Sequence, residues 1–370
     1  MKLKNCTLPE FVKKIETKKI YCFGASIMPQ EICEEYAEIE FEKKVVAFVD
    51  NDSQKIGKDY KLVQYHIPII SVEEMMSRIS SKDILLITSK YYVEIFEQLN
   101  RISDLENLEC YIWPQIAPQY KTDRDLKKKI ELVSGKCEIP KKIHYFWFGK
   151  GKIPELHQKC IDSWSRVCPD YEIVRWDESN YDVKKNQYME EAYSVGKWGF
   201  VPDFARLDVI YEHGGIYLDT DVELVRPLDE LLKLYAFAGF ESKHLVALGL
   251  GFGARPYNKC IKKLMDDYEE RTFFREDGSL DLTPSPVLQT EVLKKRGLVL
   301  NNKFQIVDDL AILPAECLSP DNNMIPHITK NTYSIHHFAG SWTSDVNQKK
   351  LEKIRAFYEK NTSHDSSHCE

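Results

Sequence analysis

Between residues 18 and 113 the chain alternates short apolar runs with segments of helical period. Lys18-Lys-Ile-Tyr-Cys-Phe-Gly24 predicts a strand and turn, and Pro29 to Phe41 a helix. Val45-Val-Ala-Phe-Val followed by Asp50-Asn-Asp52 predicts a second strand ending on acids. Val72–Ile79 and Val93–Ile102 have helical spacing, whereas Asp83–Thr88 and Glu109–Trp113 have the runs of strands. Strands that alternate with helices in this way predict a parallel sheet covered on both faces. The stretch Lys121 to Lys136 is densely charged and predicts a solvated helix or linker. The pattern then restarts with Ile139-Pro-Lys-Lys-Ile-His144-Tyr-Phe-Trp147-Phe-Gly149, a strand running into a glycine loop.

The most informative stretch lies in this second region. Phe204, Leu207 and Ile210 mark one buried helical face over Asp203–His213, and Gly214-Gly215 then ends the helix and turns the chain. Ile216–Leu224 alternates, with Tyr217, Asp219 and Asp221 on one side. Asp203 and Arg206 share a helix face at i, i+3. Helix, turn and strand thus bring three carboxylates and a guanidinium toward one strand end. An Asp-x-Asp pair offers hard oxygen ligands to Mn²⁺ or Mg²⁺. Such a metal keeps open positions for phosphate oxygens, and Arg206 can fork onto a phosphate. Asp203 can accept hydrogen bonds from sugar hydroxyls. Metal, diphosphate and sugar together point to nucleotide-sugar chemistry. The plainer alternative is that Asp219 and Asp221 solvate a turn beside a surface ion pair.

Asp203-Phe-Ala-Arg206, the Gly-Gly turn and Tyr217-Leu-Asp219-Thr-Asp221 resemble the sugar-binding region of family 32 glycosyltransferases with a DXD motif. That group includes bacterial capsule transferases, Och1-type mannosyltransferases and the clostridial glucosylating toxin core. The resemblance covers about residues 138–345. It implies a GT-A type domain that binds a nucleotide-sugar with Mn²⁺ or Mg²⁺ and retains anomeric configuration. Trp147 would stack on the base, a use its flat face suits, although filling the core is the alternative. Tyr217 would lie near the nucleotide, and Asp219 and Asp221 would serve ribose and metal, Asp221 being the more direct ligand. The late segment Ser334-Ile-His336-His337-Phe-Ala-Gly340-Ser341-Trp342 would complete the site. Ser341 and Trp342 would cover the diphosphate. His337 is the first choice as metal ligand and His336 the second, since strand alternation lets only one reach the ion. His144 reads as structural. Leu248–Pro256, rich in glycine, suggests close backbone approach, and Thr283–Thr290 is similar to an acceptor-side loop.

The fold class is therefore α/β, with a Rossmann-like module over 1–120, a charged linker over 121–137, a GT-A type domain over 138–360 and a disordered tail over 361–370. The dinucleotide fingerprint is incomplete in the module: Phe23-Gly24-Ala-Ser-Ile-Met-Pro carries one glycine, so a scaffold or oligomerisation role is expected there. A net charge of −7 excludes a general nucleic-acid binder. Ten scattered cysteines without Cys-x-x-Cys suggest neither a zinc ribbon nor a disulfide framework and fit a reducing cytoplasm. No apolar stretch is long enough to span a bilayer, so a lipid-linked acceptor would be met peripherally. The expected partners are a nucleotide-sugar donor, UDP-linked by preference and GDP-linked as the alternative, and a glycan or lipid-linked acceptor in polysaccharide assembly. A toxin-like protein glycosyltransferase and a non-catalytic nucleotide-binding module are the rival readings.

Overall fold

The computed structural model describes residues 1–135, 139–322, 325–339 and 345–362. The chain divides into two units: residues 1–121 with 321–327 and the segment from Lys349, and residues 122–320 with 328–348.

In the first unit the apolar runs become buried strands. β1 (Lys2–Leu3), β2 (Ile20–Phe23), β3 (Val45–Val49), β4 (Asp59–Leu62), β5 (Tyr65–Ile70), β6 (Ile84–Ile87) and β7 (Glu109–Ile112) form one sheet among the described residues. Their order is β1-β7-β6-β2-β3-β5-β4. Neighbours are parallel except β4 and β5. Helices α1 (Leu8–Ile15), α2 (Met28–Glu35), α3 (Val72–Arg78), α4 (Tyr92–Asn100) and α5 (Trp113–Ile116) accompany the strands. Ile20, Cys22, Phe48 and Leu86 pack with Phe11 on one face. Tyr21, Phe23, Val49 and Ile87 pack with Tyr92 and Leu99 on the other. Both faces are covered, which is why the strands read as unbroken apolar runs rather than as alternation. The helix expected over 29–41 stops at Glu35, and two 3₁₀ turns follow, separated by Glu40 at φ 47°. The β4–β5 hairpin, not expected from the sequence, alternates: Asp59, Lys61, His66 and Pro68 face outward while Leu62, Ile67 and Ile69 are buried.

The second unit opens with α6 (Leu126–Val133). Leu126 and Ile130 bury one helical stripe in the core, so the stretch expected as linker belongs to this unit. β8 (Lys142–Phe146), α7 (Glu155–Val167), β9 (Glu172–Trp176), α8 (Gln187–Ser194) and α9 (Pro202–His213) follow. After them come β10 (Gly215–Tyr217), β11 (Val222–Leu224), β12 (Ala236–Ser242), β13 (Leu245–Ala247) and β14 (Phe252–Ala254). Next are α10 (Lys259–Glu269), α11 (Ser285–Lys294), β15 (Gln305–Val307), β16 (Leu310–Leu313) and α12 (Ala315–Leu318). The main sheet runs β15-β16-β12-β14-β10-β8-β9, with β13 paired to β12. β8, β9, β10, β12 and β16 all point the same way, because β10 and β12 are each antiparallel to the intervening β14. Their carboxyl ends therefore share one edge. The strand expected over Ile216–Leu224 is two strands, broken where Val222 N–H bonds back to the Asp219 carbonyl at 3.0 Å.

A short hairpin of β17 (Asp321–Asn322) and β18 (Ile325–Pro326) precedes β19 (Ser334–His336), which pairs with β11. The last helix, α13 (Asp345–Thr362), leaves the second unit from Lys349 onward. Ile354 joins the first unit's core and Phe357 packs edge-on against Phe96 at 5.5 Å. The expected second domain thus loses its C-terminal helix to the first. Residues 361 and 362 are helical, and the rest of the expected tail lies outside the described residues.

Candidate active site

Pro202 opens α9 at its first turn, where a missing N–H costs nothing, and the helix carries Asp203 and Arg206 into the interior. Both are buried, 3% and 4% exposed. One Arg206 nitrogen bonds the Asp203 carboxylate and also donates to Ser285 Oγ at 3.0 Å. Its other terminal nitrogen lies 3.6 Å from Asp219 Oδ1, and the guanidinium sits 5.5 Å from the Tyr217 ring centre. Arg206 Nε is buried without a partner among the described residues.

Gly214 and Gly215, both at positive φ, let α9 turn tightly into β10. A Cβ on Gly215 would stand 2.9 Å from the Lys142 carbonyl oxygen and 3.0 Å from His144 Nε2. Beyond Tyr217 the chain leaves the sheet and presents Asp219 and Asp221. Tyr217 donates its hydroxyl to Asp219 Oδ1 at 2.5 Å. Gly249 approaches from the β13–β14 loop, where a Cβ would lie 2.4 Å from Asp219 Oδ2. Close backbone approach, the use expected for this glycine run, is what the position requires.

The third group that could hold a metal here is His336. β19 pairs in register with β11, Val222 opposite His336, which turns His336 toward Asp221 at 3.2 Å. His337, the first choice from sequence, points elsewhere: its Nε2 lies 2.9 Å from Glu223 Oε2. Alternation along the strand made the two histidines exclusive, and inter-strand register, invisible in the local sequence, decided between them. One ligand atom from each of Asp219, Asp221 and His336 lies within 4.8 Å of the other two. Two carboxylates and an imidazole fit Mn²⁺ well and Mg²⁺ less well. His336 Nδ1, on the far side of the ring from Asp221, is buried without a partner among the described residues.

The electrostatics are consistent with that set. Burial opposes charge on His336, but Asp221, Asp219 and Glu241 outweigh it and push its pKa to about 9. Burial also works against Asp221, yet His336 and the Ala339 N–H, 2.8 Å from Oδ2, hold this carboxyl well below its usual range. Asp219 is shifted the other way by burial, with Arg206 in opposition.

Trp147 is half-buried at the end of β8, its Nε1 donating to the Gly151 carbonyl at 2.7 Å. Its ring meets His157 edge-on at 5.5 Å, and His157 Nδ1 is 2.8 Å from Thr220 Oγ1, between the two aspartates. Trp147 is therefore linked through His157 to Thr220, between the two acids, rather than lost in the core. His144 is structural, as expected: its nitrogens contact the Gly214 carbonyl at 3.1 Å and Trp176 Nε1 at 3.0 Å. Ser341 and Trp342 lie outside the described residues.

Two contributors, Ser285 and Gln289, come from the segment expected as an acceptor-side loop. Thr283–Thr290 is mostly the start of α11, whose Ser285 holds Arg206. From the same helix Gln289 Oε1 accepts the Leu248 N–H at 3.1 Å, bracing the Gly249 loop. Only the i, i+4 spacing of Ser285 and Gln289 on a helix hinted at this, and Pro284 and Pro286 masked the helix.

Residues 154–238 match the family described as glycosyltransferase sugar-binding region containing DXD motif. The match includes Asp203, Arg206, Asp219 and Asp221 and stops short of Trp147 and His336. Over 106 residues the chain is 39% identical to an inositol phosphoceramide mannosyltransferase of Schizosaccharomyces pombe, spanning 25% of this chain and 27% of that relative. It is 24% identical to an uncharacterised glycosyltransferase of Acanthamoeba polyphaga mimivirus over 58% of this chain and 87% of the relative. Among solved structures, the PaToxG glycosyltransferase aligns with a TM-score of 0.34 at 19% identity, over 45% of this chain and 74% of that one. The chain thus carries a glycosyltransferase sugar-binding region, and it spans about a quarter of the length of the yeast relative.

Proposed function

We propose that this protein is a metal-dependent glycosyltransferase that moves a sugar from a nucleoside-diphosphate donor to a glycan or lipid-linked acceptor. The observation that carries the reading is the convergence of Asp219, Asp221 and His336 beside the buried Asp203–Arg206 pair. A bound Mn²⁺ would screen the charge that builds on the departing diphosphate. Arg206 adds a fixed positive charge at that point, pre-oriented by Asp203 and Ser285, so no reorganisation is needed as the leaving group ionises. Asp203 and Asp219 hold sugar or ribose hydroxyls, and Trp147 receives the base. Retention of configuration follows from the family resemblance, as does the GT-A reading of the second unit. The mannosyl transfer to inositol phosphoceramide named for the yeast relative supports a lipid-linked acceptor and keeps GDP-linked sugars beside the favoured UDP-linked ones.

The setting we infer is surface polysaccharide assembly, with the protein in the cytoplasm and visiting the membrane face. No helix among the described residues is long and apolar enough to cross a membrane. For the first unit we infer a Rossmann-like scaffold, suited to oligomerisation.

Calorimetric titration of UDP and GDP with and without Mn²⁺ tests the core of this reading. Nucleotide binding that requires Mn²⁺ and is lost in Asp221→Ala, with the circular dichroism spectrum unchanged, is the expected result. Binding that ignores both the metal and the substitution would remove the metal site from the account.

A further inference from the structure

Glu241 is the acid that the reading above leaves unused. It sits at the carboxyl end of β12, at the bulge between Phe240 and Ser242 where the pairing with β13 shifts register. Bulges re-aim side chains next to active sites. Its side chain is partly buried and makes no hydrogen bond or ion pair among the described residues. A half-desolvated carboxylate left without a partner is a feature in need of a ligand.

Sheet register says what lies in front of it. Ile143 pairs with Ile216, Ile216 with Gly253, and Gly253 with Phe237, so these four residues mark one level across β8, β10, β14 and β12. Trp147 is four residues past that level, Asp219 three and Glu241 four. All three therefore lie beyond that level, toward the shared carboxyl edge where open α/β sheets bind their ligands. Laterally they are spread over successive strands: Trp147 on β8, Asp219 one strand on, Glu241 two further on. At roughly 4.8 Å per strand the row extends about 14 Å. The order along it is aromatic face, metal-binding acids, free carboxylate. A sugar nucleotide has the same order: base, diphosphate, sugar. Glu241 also lies within electrostatic reach of His336.

We infer that Glu241 is a specificity-determining residue of the donor site, its carboxylate accepting hydrogen bonds from hydroxyls of the transferred sugar. Two carboxylate oxygens can take two neighbouring hydroxyls of a pyranose ring, which makes the contact sensitive to their configuration. The β12–β13 hairpin leads straight into Leu248-Gly249, the loop pressed against Asp219, so this contact is tied to the metal-binding acids by a short rigid path. The inference rests on the donor-site reading above and deepens it.

The test compares bare nucleotides with their sugar conjugates. UDP, UDP-glucose, UDP-N-acetylglucosamine, GDP and GDP-mannose are titrated with Mn²⁺ into the full-length protein and into Glu241→Gln, Glu241→Asp and Glu241→Ala. For the conjugate the wild type binds, Glu241→Gln and Glu241→Ala should weaken affinity roughly tenfold to a hundredfold, the scale of a lost charged hydrogen bond. The bare nucleotide should bind as in wild type, and Glu241→Asp should fall between. Equal losses for nucleotide and conjugate would make Glu241 a structural residue and overturn the inference. An unchanged conjugate would overturn it as well. Failure of the wild type to bind any nucleotide with Mn²⁺ is a separate result, and it would overturn the donor site itself together with this inference.

Discussion

The two units present the same architectural edge, the carboxyl ends of parallel strands, and finish it in opposite ways. In the first unit Asp50 closes the end of β3 on itself: Oδ2 accepts from Ala25 N–H at 3.1 Å and pairs with Lys55 at 3.0 Å, while Oδ1 accepts from Asp52 N–H. Gly24 is wedged against Ser89 Cβ and the Thr88 carbonyl oxygen, each 3.0 Å from a would-be Cβ. In the second unit Arg206 Nε, Gln289 Nε2 and His336 Nδ1 are buried without partners among the described residues, and Glu241 is unpaired. Glu94 Oε2 and the Gln115 amide of the first unit are buried without partners too, so what sets the second edge apart is that its unspent groups surround Asp219, Asp221 and His336.

The sharpest way to break this contrast is to remove one acid from each edge. Asp221→Ala should lower turnover, read as slow donor hydrolysis, on the order of a thousandfold or more, since a ligand and a pre-oriented charge are lost together. Asp50→Asn should leave turnover unchanged and lower only the melting temperature. A nucleotide whose binding disappears with Asp50→Asn would show that the first edge is open after all.

Arg206→Lys comes next. A lysine keeps the charge but cannot hold Asp203 and Ser285 while facing Asp219, so we expect turnover to fall roughly a hundredfold. In the first unit Lys55→Ala removes only a half-exposed pair, a change of about 1 kcal/mol at most. A fully active Arg206→Lys would reduce the guanidinium to a structural cation.

These comparisons also show what the amino-acid sequence made legible. The central strands of the first unit were readable because burial on both faces writes itself as Ile20–Phe23 or Ile84–Ile87, whereas β1 and the β4–β5 hairpin were not. Asp203, Arg206, Asp219 and Asp221 come together because one continuous helix, turn and strand deliver them. What escaped was whatever depends on pairing between distant segments. His336 rather than His337 follows from the β11–β19 register, and Glu241 gains meaning only from its level across four strands. The return of Ile354 and Phe357 to the first core left no local trace, since an amphipathic helix does not specify which sheet it will cover.

Glycine substitutions sharpen the comparison at a smaller scale. Gly249→Ala puts a methyl 2.4 Å from Asp219 Oδ2, and one of the two must move. We expect about a tenfold loss of turnover with a modest stability change. Gly24→Ala, at φ 113° and against backbone, should cost stability by roughly 1 to 3 kcal/mol and leave the turnover of folded protein intact. Opposite signatures in thermal melts and rates would confirm that one glycine serves chemistry and the other serves the fold.

A pH dependence concerns His144, which lies in the second unit's sheet yet behaves as the first unit's residues do. Trp176 Nε1–H donates to its Nδ1, leaving Nε2–H to donate to the Gly214 carbonyl, and burial lowers its pKa to about 4. In the unfolded chain the ring titrates near the ordinary value of about 6.5. Above that pH both states are neutral and His144 adds no slope. As pH falls from about 6.5 to about 4, the unfolded chain takes up a proton that the folded chain refuses. Folding stability should therefore drop with acidification by roughly 3 kcal/mol from this residue. Urea unfolding at pH 7, 5.5 and 4.5 should show that slope in the wild type and a flatter one in His144→Asn. Equal slopes would mean that the ring is protonated in place, and the boundary between closed scaffold and open site would then run through β8 rather than at its end.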